Sequence, residues 1–441
     1  MLEIQKKLTN SFYSLLSLPS TAMGFALCIQ ISALSWILKT KFNLEIHEIG
    51  FVWAAGPLAG ILAQPIVGLV SDKVWFWGGR RRPFILIGGT LAALMLLALP
   101  NIDVINNALG LGSIIAVAIF VALTLDLSIN VSFNPTRSII ADVTPEGVAR
   151  TKGFTWMQTI SGFFGVLAYF IGAVFDNYAL IYFGIVLVLA FSLIPTLFIE
   201  EQKDLKPSEE SSAGKTVDAE ADDDAKTQWG QLLRIYFAHG FSWIGIQTMF
   251  VYIIAFITQR IFGFADIQQK IPDLINQEIG QVISISFLIL NAIGFILPAL
   301  VLEPLTEKIG RVRTHIICIS VMAIGYFAIA FFAGTSMMLY ILMAICGIGW
   351  AAVVSLPFAI MSEKVSKSKM GFHMGIFNLS VVLPQLISSM VLGSLIRVAD
   401  DKNVVFVIAG VCLTISAVLW MMVKEDEKKT AEITAEEKVT V

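Results

Sequence analysis

The feature that most constrains this chain is a succession of long apolar blocks. A helix needs ~20 apolar residues to cross a hydrocarbon layer. Twelve blocks of about that length can be laid out, near 12–38, 46–71, 82–100, 110–141, 151–174, 178–198, 229–259, 279–304, 312–333, 335–362, 370–396 and 403–423. In lipid each backbone N–H and C=O must be paired within its own segment, so blocks this long are expected to be helices. Composition agrees: 56% of the residues are hydrophobic and 14% charged, against roughly 25% charged in soluble domains. The expected fold class is an all-α membrane protein with twelve transmembrane helices. The first block reads as a span and not a cleaved leader, because it is too long and contains Pro19 and Gln30.

Several function classes drop out. The formal net charge is −3, which argues against a basic nucleic-acid surface. The four cysteines, Cys28, Cys318, Cys346 and Cys412, are scattered through apolar stretches with no C-x-x-C, so neither a disulfide framework nor a cysteine zinc site is expected. The chain has no G-x-x-x-x-G-K-[ST] and no H-E-x-x-H. It therefore lacks a phosphate-cradling loop or a protease metal motif. No metal, no cofactor and no enzymatic activity are expected.

Basic residues set the expected orientation, since Lys and Arg concentrate in cytoplasmic loops. With the N-terminus inside, 23 of the 30 Lys and Arg fall on the cytoplasmic side, six fall outside, and Arg137 falls within a span. The expectation is a multi-pass protein of the cell (inner) membrane, with both termini cytoplasmic, working as a monomer in the lipid bilayer. Residues 199–228 carry ten acids and four lysines and almost no large apolar side chains. This composition predicts a disordered cytoplasmic linker. It separates an N-terminal six-helix half, 1–198, from a C-terminal half, 229–423, with a cytoplasmic tail at 424–441.

The two halves repeat a loop. After span 2 the chain reads Gly68-Leu-Val-Ser-Asp72-Lys73, then Gly79-Arg80-Arg81-Arg82. After span 8 it reads Pro304-Leu-Thr-Glu307-Lys308-Ile-Gly310-Arg311-Val-Arg313. Both give a small residue, an acid, a Lys, then Gly-Arg-x-Arg. Repeated halves around a central site are how many secondary transporters are built, and this acid–Gly–basic pattern resembles the loop signature of the major facilitator superfamily. The longer first-half form, SDKVWFWGGRRRPFI, follows AGPLAGILAQPIVG, Ala55 to Gly68. Span 4 adds Asp126, Asn130, Asn134-Pro135, Arg137 and Asp142 at matching spacings. Span 10 adds Ser355 and Pro357, and span 11 adds Met374-Gly375, Asn378 and Pro384-Gln385. Together these resemble the sucrose/proton symporters, relatives of the glycoside-pentoside-hexuronide:cation symporters, in a bacterial form with short loops. Span 1 carries its polar residues out of step with the plant pattern. The resemblance implies a major facilitator fold with two six-helix halves in pseudo-two-fold repeat. It further implies proton-coupled uptake of a disaccharide or related glycoside such as sucrose or maltose, by alternating access.

Span 4 holds the deepest charges. Asp126 and Arg137 are eleven residues apart, which places them within about 20° on one helix face and ~16 Å apart along it. Asn130 lies on the same stripe. A charge inside the membrane costs at least ~2.5 kcal/mol and is placed against a cavity or a partner. Desolvation favours the neutral form of a carboxyl group, so such a residue can load a proton on one side and release it on the other. The resemblance gives this proton-coupling role to Asp126, with Arg137 as a gating or coupling charge. A buried pair locking two helices is the structural alternative. Asp72, Asp142 and Glu307 read instead as inner-gate partners for Arg80, Arg81 and Arg82, within the loop motif that also includes Gly79, Gly310 and Arg311. Sugar hydroxyls need neutral donors and acceptors, so Gln30, Asn130, Gln158, Gln247, Asn378 and Gln385 are candidate substrate contacts, and Trp243 a candidate stacking surface. Interhelical hydrogen bonding is the alternative for the amides, and interfacial anchoring for tryptophan. His239 is read as the one histidine well inside a span, a possible relay or a satisfied polar residue. Sodium coupling, export of another small solute, or a non-transporting sugar sensor remain open as functions.

Overall fold

The computed structural model describes residues 7–61, 67, 74–144, 148–201, 228–264, 271–362, 364–365 and 370–425. Among the described residues the chain is a bundle of apolar helices with no strand. The first six segments are α1 (Asn10–Thr40), α2 (Ile46–Ile61), α3 (Arg82–Leu109), α4 (Ile114–Val143), α5 (Val148–Val174) and α6 (Asn177–Phe198). The second six are α7 (Trp229–Ile261), α8 (Asp273–Leu297), α9 (Arg311–Phe332), α10 (Ser336–Ser362), α11 (Ile376–Val398) and α12 (Val404–Trp420). Ten are long and apolar enough to cross a membrane, and α2 and α12 are shorter apolar helices.

Local chemistry explains the ends. Thr9, Ser113 and Asp176 each accept a backbone N–H from the first turn of α1, α4 and α6, the usual work of an N-cap. Gly110 ends α3 at φ 61°, a left-handed position that glycine fills without strain. Proline is tolerated inside α1, α4, α6, α10 and α11, at Pro19, Pro135, Pro195, Pro357 and Pro384. In a bundle, neighbouring helices can satisfy the carbonyls a proline frees. Span 3 runs further than its hydrophobicity suggests: a 3₁₀ turn at Leu99–Asn101 carries it past Pro100 to Leu109. Outward-facing side chains such as Phe120, Val186, Ile324 and Phe331 are more than 60% exposed, an apolar perimeter suited to lipid.

Packing repeats with a shift of six helices. In the first half α1 packs on α5 and α6, and α3 on α4 and α6. In the second, α7 packs on α11 and α12, and α9 on α10 and α12. Between halves, α2 meets α11 and α5 meets α8, a pair of contacts that the same shift exchanges. This is the pseudo-two-fold arrangement of two six-helix halves.

Candidate functional site

Asp126 lies in the middle of α4 and is 5% exposed. Three helices hold it. From α1, Gln30 Nε2 donates to Asp126 Oδ2 at 2.9 Å. From α2, the backbone at Gly56 comes so near that a Cβ there would lie 3.1 Å from Oδ2. On α4 itself, Asn130 Nδ2 donates to the Asp126 carbonyl at 2.8 Å. Among the described residues no basic side chain forms an ion pair with Asp126. The carboxyl group can therefore change charge without breaking a salt bridge. It keeps an amide donor, whose loss would leave a buried acceptor unsatisfied.

Arg137 stands apart from Asp126. Its side chain is exposed, and the guanidinium lies 4.2 Å from the centre of the Phe133 ring, a cation–π contact. On α1 the half-buried stripe Gly24, Leu27 and Ile31 borders open space. A Cβ on Gly24 would meet nothing within 4 Å.

A second group of candidates lies in the other half. Trp243 of α7 and Trp350 of α10 face each other with ring centres 6.2 Å apart at 80°. Phe250 packs on Trp350 at 5.4 Å and on Phe287 of α8 at 5.5 Å. Tyr169 of α5 joins Phe287 at 5.8 Å, which brings the first half into this wall. Both indole N–H groups are used: Trp243 Nε1 donates to His239 Nε2 at 2.9 Å, and Trp350 Nε1 to Asn291 Oδ1 at 3.2 Å. Gln247 lies between Trp243 and Phe250 on the same face of α7. It is 3% exposed, and its amide has no hydrogen-bond partner among the described residues. Gln158 is exposed on α5, while Asn378 and Gln385 are half-buried on α11. Of the amide candidates, Gln30 and Asn130 meet at Asp126.

The loop motif forms a separate structure at the end of the bundle near the termini. A tight turn places Trp77 and Gly78 at φ 50° and 78°. Asp142 accepts from Arg81 Nε at 3.1 Å and Arg80 Nη2 at 3.4 Å. The backbone N–H groups of Arg80, Arg81 and Arg82 donate to the Glu201 carboxylate at 2.7–3.1 Å. Gly79 lets it approach: a Cβ there would lie 2.3 Å from Glu201 Oε1. The second half repeats the device. Gly310, at φ 91°, opens α9, and the N–H groups of Arg311 and Val312 donate to Glu425. Glu307 is exposed and makes no ion pair among the described residues, so it does not do for α9 what Asp142 does for Arg80 and Arg81. Asp72 lies outside the described residues, as do 202–227 of the linker and 426–441 of the tail.

Sequence reasoning missed Glu201 and Glu425. The available signal was that each is an acid just past the sixth span of its half. His239 is the histidine well inside a span, but it is not the only buried one. His315 on α9 and His373, on the helical turn just ahead of α11, are 0% and 1% exposed. His315 sits one turn into its helix beside Arg311 and Arg313, which makes it look like part of a polar loop.

Comparison with known proteins places this geometry. The Major Facilitator Superfamily pattern matches residues 16–389 and 270–440, and the chain belongs to that superfamily. It is a multi-pass membrane transporter and not an enzyme. It is 24% identical over 429 residues to Sucrose transport protein SUT1 of Oryza sativa subsp. japonica, covering 82% of this chain and 78% of that protein. It is 30% identical over 174 residues to the General alpha-glucoside permease of Schizosaccharomyces pombe, covering 35% of this chain and 31% of the permease. Among solved structures, a D-xylose-proton symporter superposes with a TM-score of 0.68 at 15% identity, covering 95% of this chain and 98% of the other. That likeness concerns the fold.

Proposed function

We propose that this protein is a proton-coupled importer of a disaccharide or related α-glucoside, working by alternating access in the cell membrane with both termini in the cytoplasm. The observation that carries the reading is Asp126: a buried carboxyl group in mid-span, held by the Gln30 amide, with no cation beside it among the described residues. A carrier's proton site must change charge as the central space opens to either side, and an ion-paired acid resists that change. Arg137, poised on Phe133 about three turns away, is the coupling charge. The sugar class is supported by the two relatives named as sucrose and alpha-glucoside transporters, and by the neutral amides and aromatic rings around the centre. The 23-to-6 bias of basic residues supports the orientation. The halves 1–198 and 229–423 act as the two moving bodies.

The test is uptake into proteoliposomes of radiolabelled sucrose, maltose and trehalose, with and without a pH gradient. Wild-type protein should concentrate at least one of them when the outside is acid. Each charge moved inward gains ~2.3 kcal/mol per 100 mV, enough to drive accumulation. Asp126→Asn should abolish accumulation while leaving sugar exchange intact. Accumulation by the variant with unchanged pH dependence would overturn the assignment. A sodium gradient in place of the proton gradient tests the other coupling ion.

A further inference from the structure

Two features of the aromatic wall have no part in the proton site at Asp126. One is the pairing of His239 with Trp243. The other is the unpartnered Gln247 amide beside it. His239 is 2% exposed, and its ring lies flat on Phe377 of α11, with centres 4.8 Å apart and planes at 12°. The stacking fixes how the imidazole can rotate. Its Nε2 accepts the Trp243 N–H at 2.9 Å from one turn away on the same helix. Accepting at Nε2 puts the ring hydrogen on Nδ1, which is buried with no hydrogen-bond partner among the described residues. A buried polar atom left unsatisfied calls for an explanation. Here the ring is oriented for its other nitrogen.

The effect is to tie down one indole. Trp243 is half-buried, and with its N–H occupied it offers a ligand its ring face and edge and no donor. Trp350 is held likewise by Asn291 and stands at 80° to it. One turn along α7 from Trp243 is the Gln247 amide, with two donors and an acceptor unspent among the described residues. A flat apolar face next to a free amide suits a pyranose ring. Such a ring presents C–H groups on one side and hydroxyls at its edge.

We infer that His239 is a positioning residue that holds the Trp243 indole as a stacking face for a hexopyranosyl ring, whose hydroxyls are met by Gln247. This rests on the sugar-transport reading and adds to it a specific surface and the residue that orients it. A group fixed by packing and by a second layer of hydrogen bonds presents its face without an ordering cost on binding. Loss of the His239 acceptor should therefore weaken sugar binding more than it slows turnover.

The experiment is radiolabelled sucrose and maltose exchange in proteoliposomes, with KM and kcat measured for wild type, His239→Leu, His239→Gln and Trp243→Phe. His239→Leu is expected to raise KM about tenfold, which corresponds to ~1.4 kcal/mol, with kcat within twofold. His239→Gln restores an acceptor within reach of the indole and should bring KM back to within threefold of wild type. Trp243→Phe keeps a ring but has no N–H, so the double variant with His239→Leu should be no worse than Trp243→Phe alone. If His239→Leu does not fold, Trp243→Phe and His239→Gln carry the test, as a tenfold and a near-neutral change in KM. The inference fails, with the transport reading intact, if wild type exchanges sugar while Trp243→Phe leaves KM unchanged or His239→Gln is as impaired as His239→Leu. If wild type exchanges neither sugar, nor trehalose in the same assay, the transport reading fails and this inference falls with it.

Discussion

At the scale of single residues, the geometry around Asp126 makes a sharp demand on a glycine. Gly56 of α2 faces the carboxylate, and an added Cβ would lie 3.1–3.3 Å from three of its atoms. That is tighter than ordinary contact, and crowding a packed interior typically costs about 1–3 kcal/mol. The carboxylate would have to turn away from Gln30 or push α2 outward. Gly56→Ala should therefore cut gradient-driven sugar accumulation about fivefold or more. Gly24→Ala is the matched control, because its Cβ would enter open space, and it should transport within twofold of wild type. Uptake rates of the two variants at equal protein density provide the measurement. Equal, near-normal rates would mean that the carboxylate position is not critical.

At the scale of helices, α3 and α9 begin in matching ways. Each leaves N–H groups of its first turn unpaired within the helix, and each has them met by a carboxylate from the end of the sixth span of its half. Removing an N-cap acceptor costs about 0.5–2 kcal/mol. Glu201→Ala and Glu425→Ala should each lower the thermal unfolding midpoint of the purified protein. Glu201→Gln should recover part of the loss, since one oxygen still accepts. A midpoint unchanged in Glu201→Ala would show that water caps α3 equally well. These caps also show what could be read from the chain. The spans were legible because a membrane helix writes its length into a run of apolar residues, and the repeat was legible because Gly-Arg-x-Arg is local. Glu201 was not, because it lies about 120 positions from the amides it meets and sits in an acid-rich stretch. Gln30 and Asp126 were legible one by one as polar residues in mid-span. Their contact, across 96 positions, was not, since nothing in helical spacing says which faces of α1 and α4 meet. The indole pair of Trp243 and Trp350 is hidden in the same way.

At the scale of the molecule, the hydrogen bonds between the halves gather at one end among the described residues. Trp36 donates to the Asn276 carbonyl at 2.6 Å, Ser35 to that of Val251 at 2.9 Å, and Ser284 meets Ser32 and Asn177 at 2.8 and 3.0 Å. All lie toward the end away from the termini. There α2 also meets α11: Glu45 holds Arg397 Nε at 2.8 Å, with His47 Nδ1 at 3.2 Å from the same oxygen. At the other end, the Asp142 pairs and the Glu201 and Glu425 caps each stay within one half. If the termini face the cytoplasm, as proposed above, this arrangement is a state closed to the outside, and alternating access would next part α2 from α11. The Glu45–Arg397 pair is partly exposed, so it contributes at most about 1 kcal/mol. Its removal by Glu45→Gln should shift the balance toward the outward-open state by no more than about fivefold. Gly50 is a stronger lever, because a Cβ there would lie 2.2 Å from the Ser389 carbonyl oxygen and 2.4 Å from the Tyr252 hydroxyl. Neither helix can absorb that overlap without separating, so Gly50→Val should favour the outward-open state far more than Glu45→Gln. The measurement is labelling of Leu27→Cys, in protein whose four natural cysteines are serine, by a membrane-impermeant maleimide added outside. The expected order of labelling rates is Gly50→Val above Glu45→Gln above the unaltered helices, with high salt raising the last toward the second as the ion pair is screened. A rate for Gly50→Val no higher than that of the parent would mean that the α2–α11 contact does not close the path to α1.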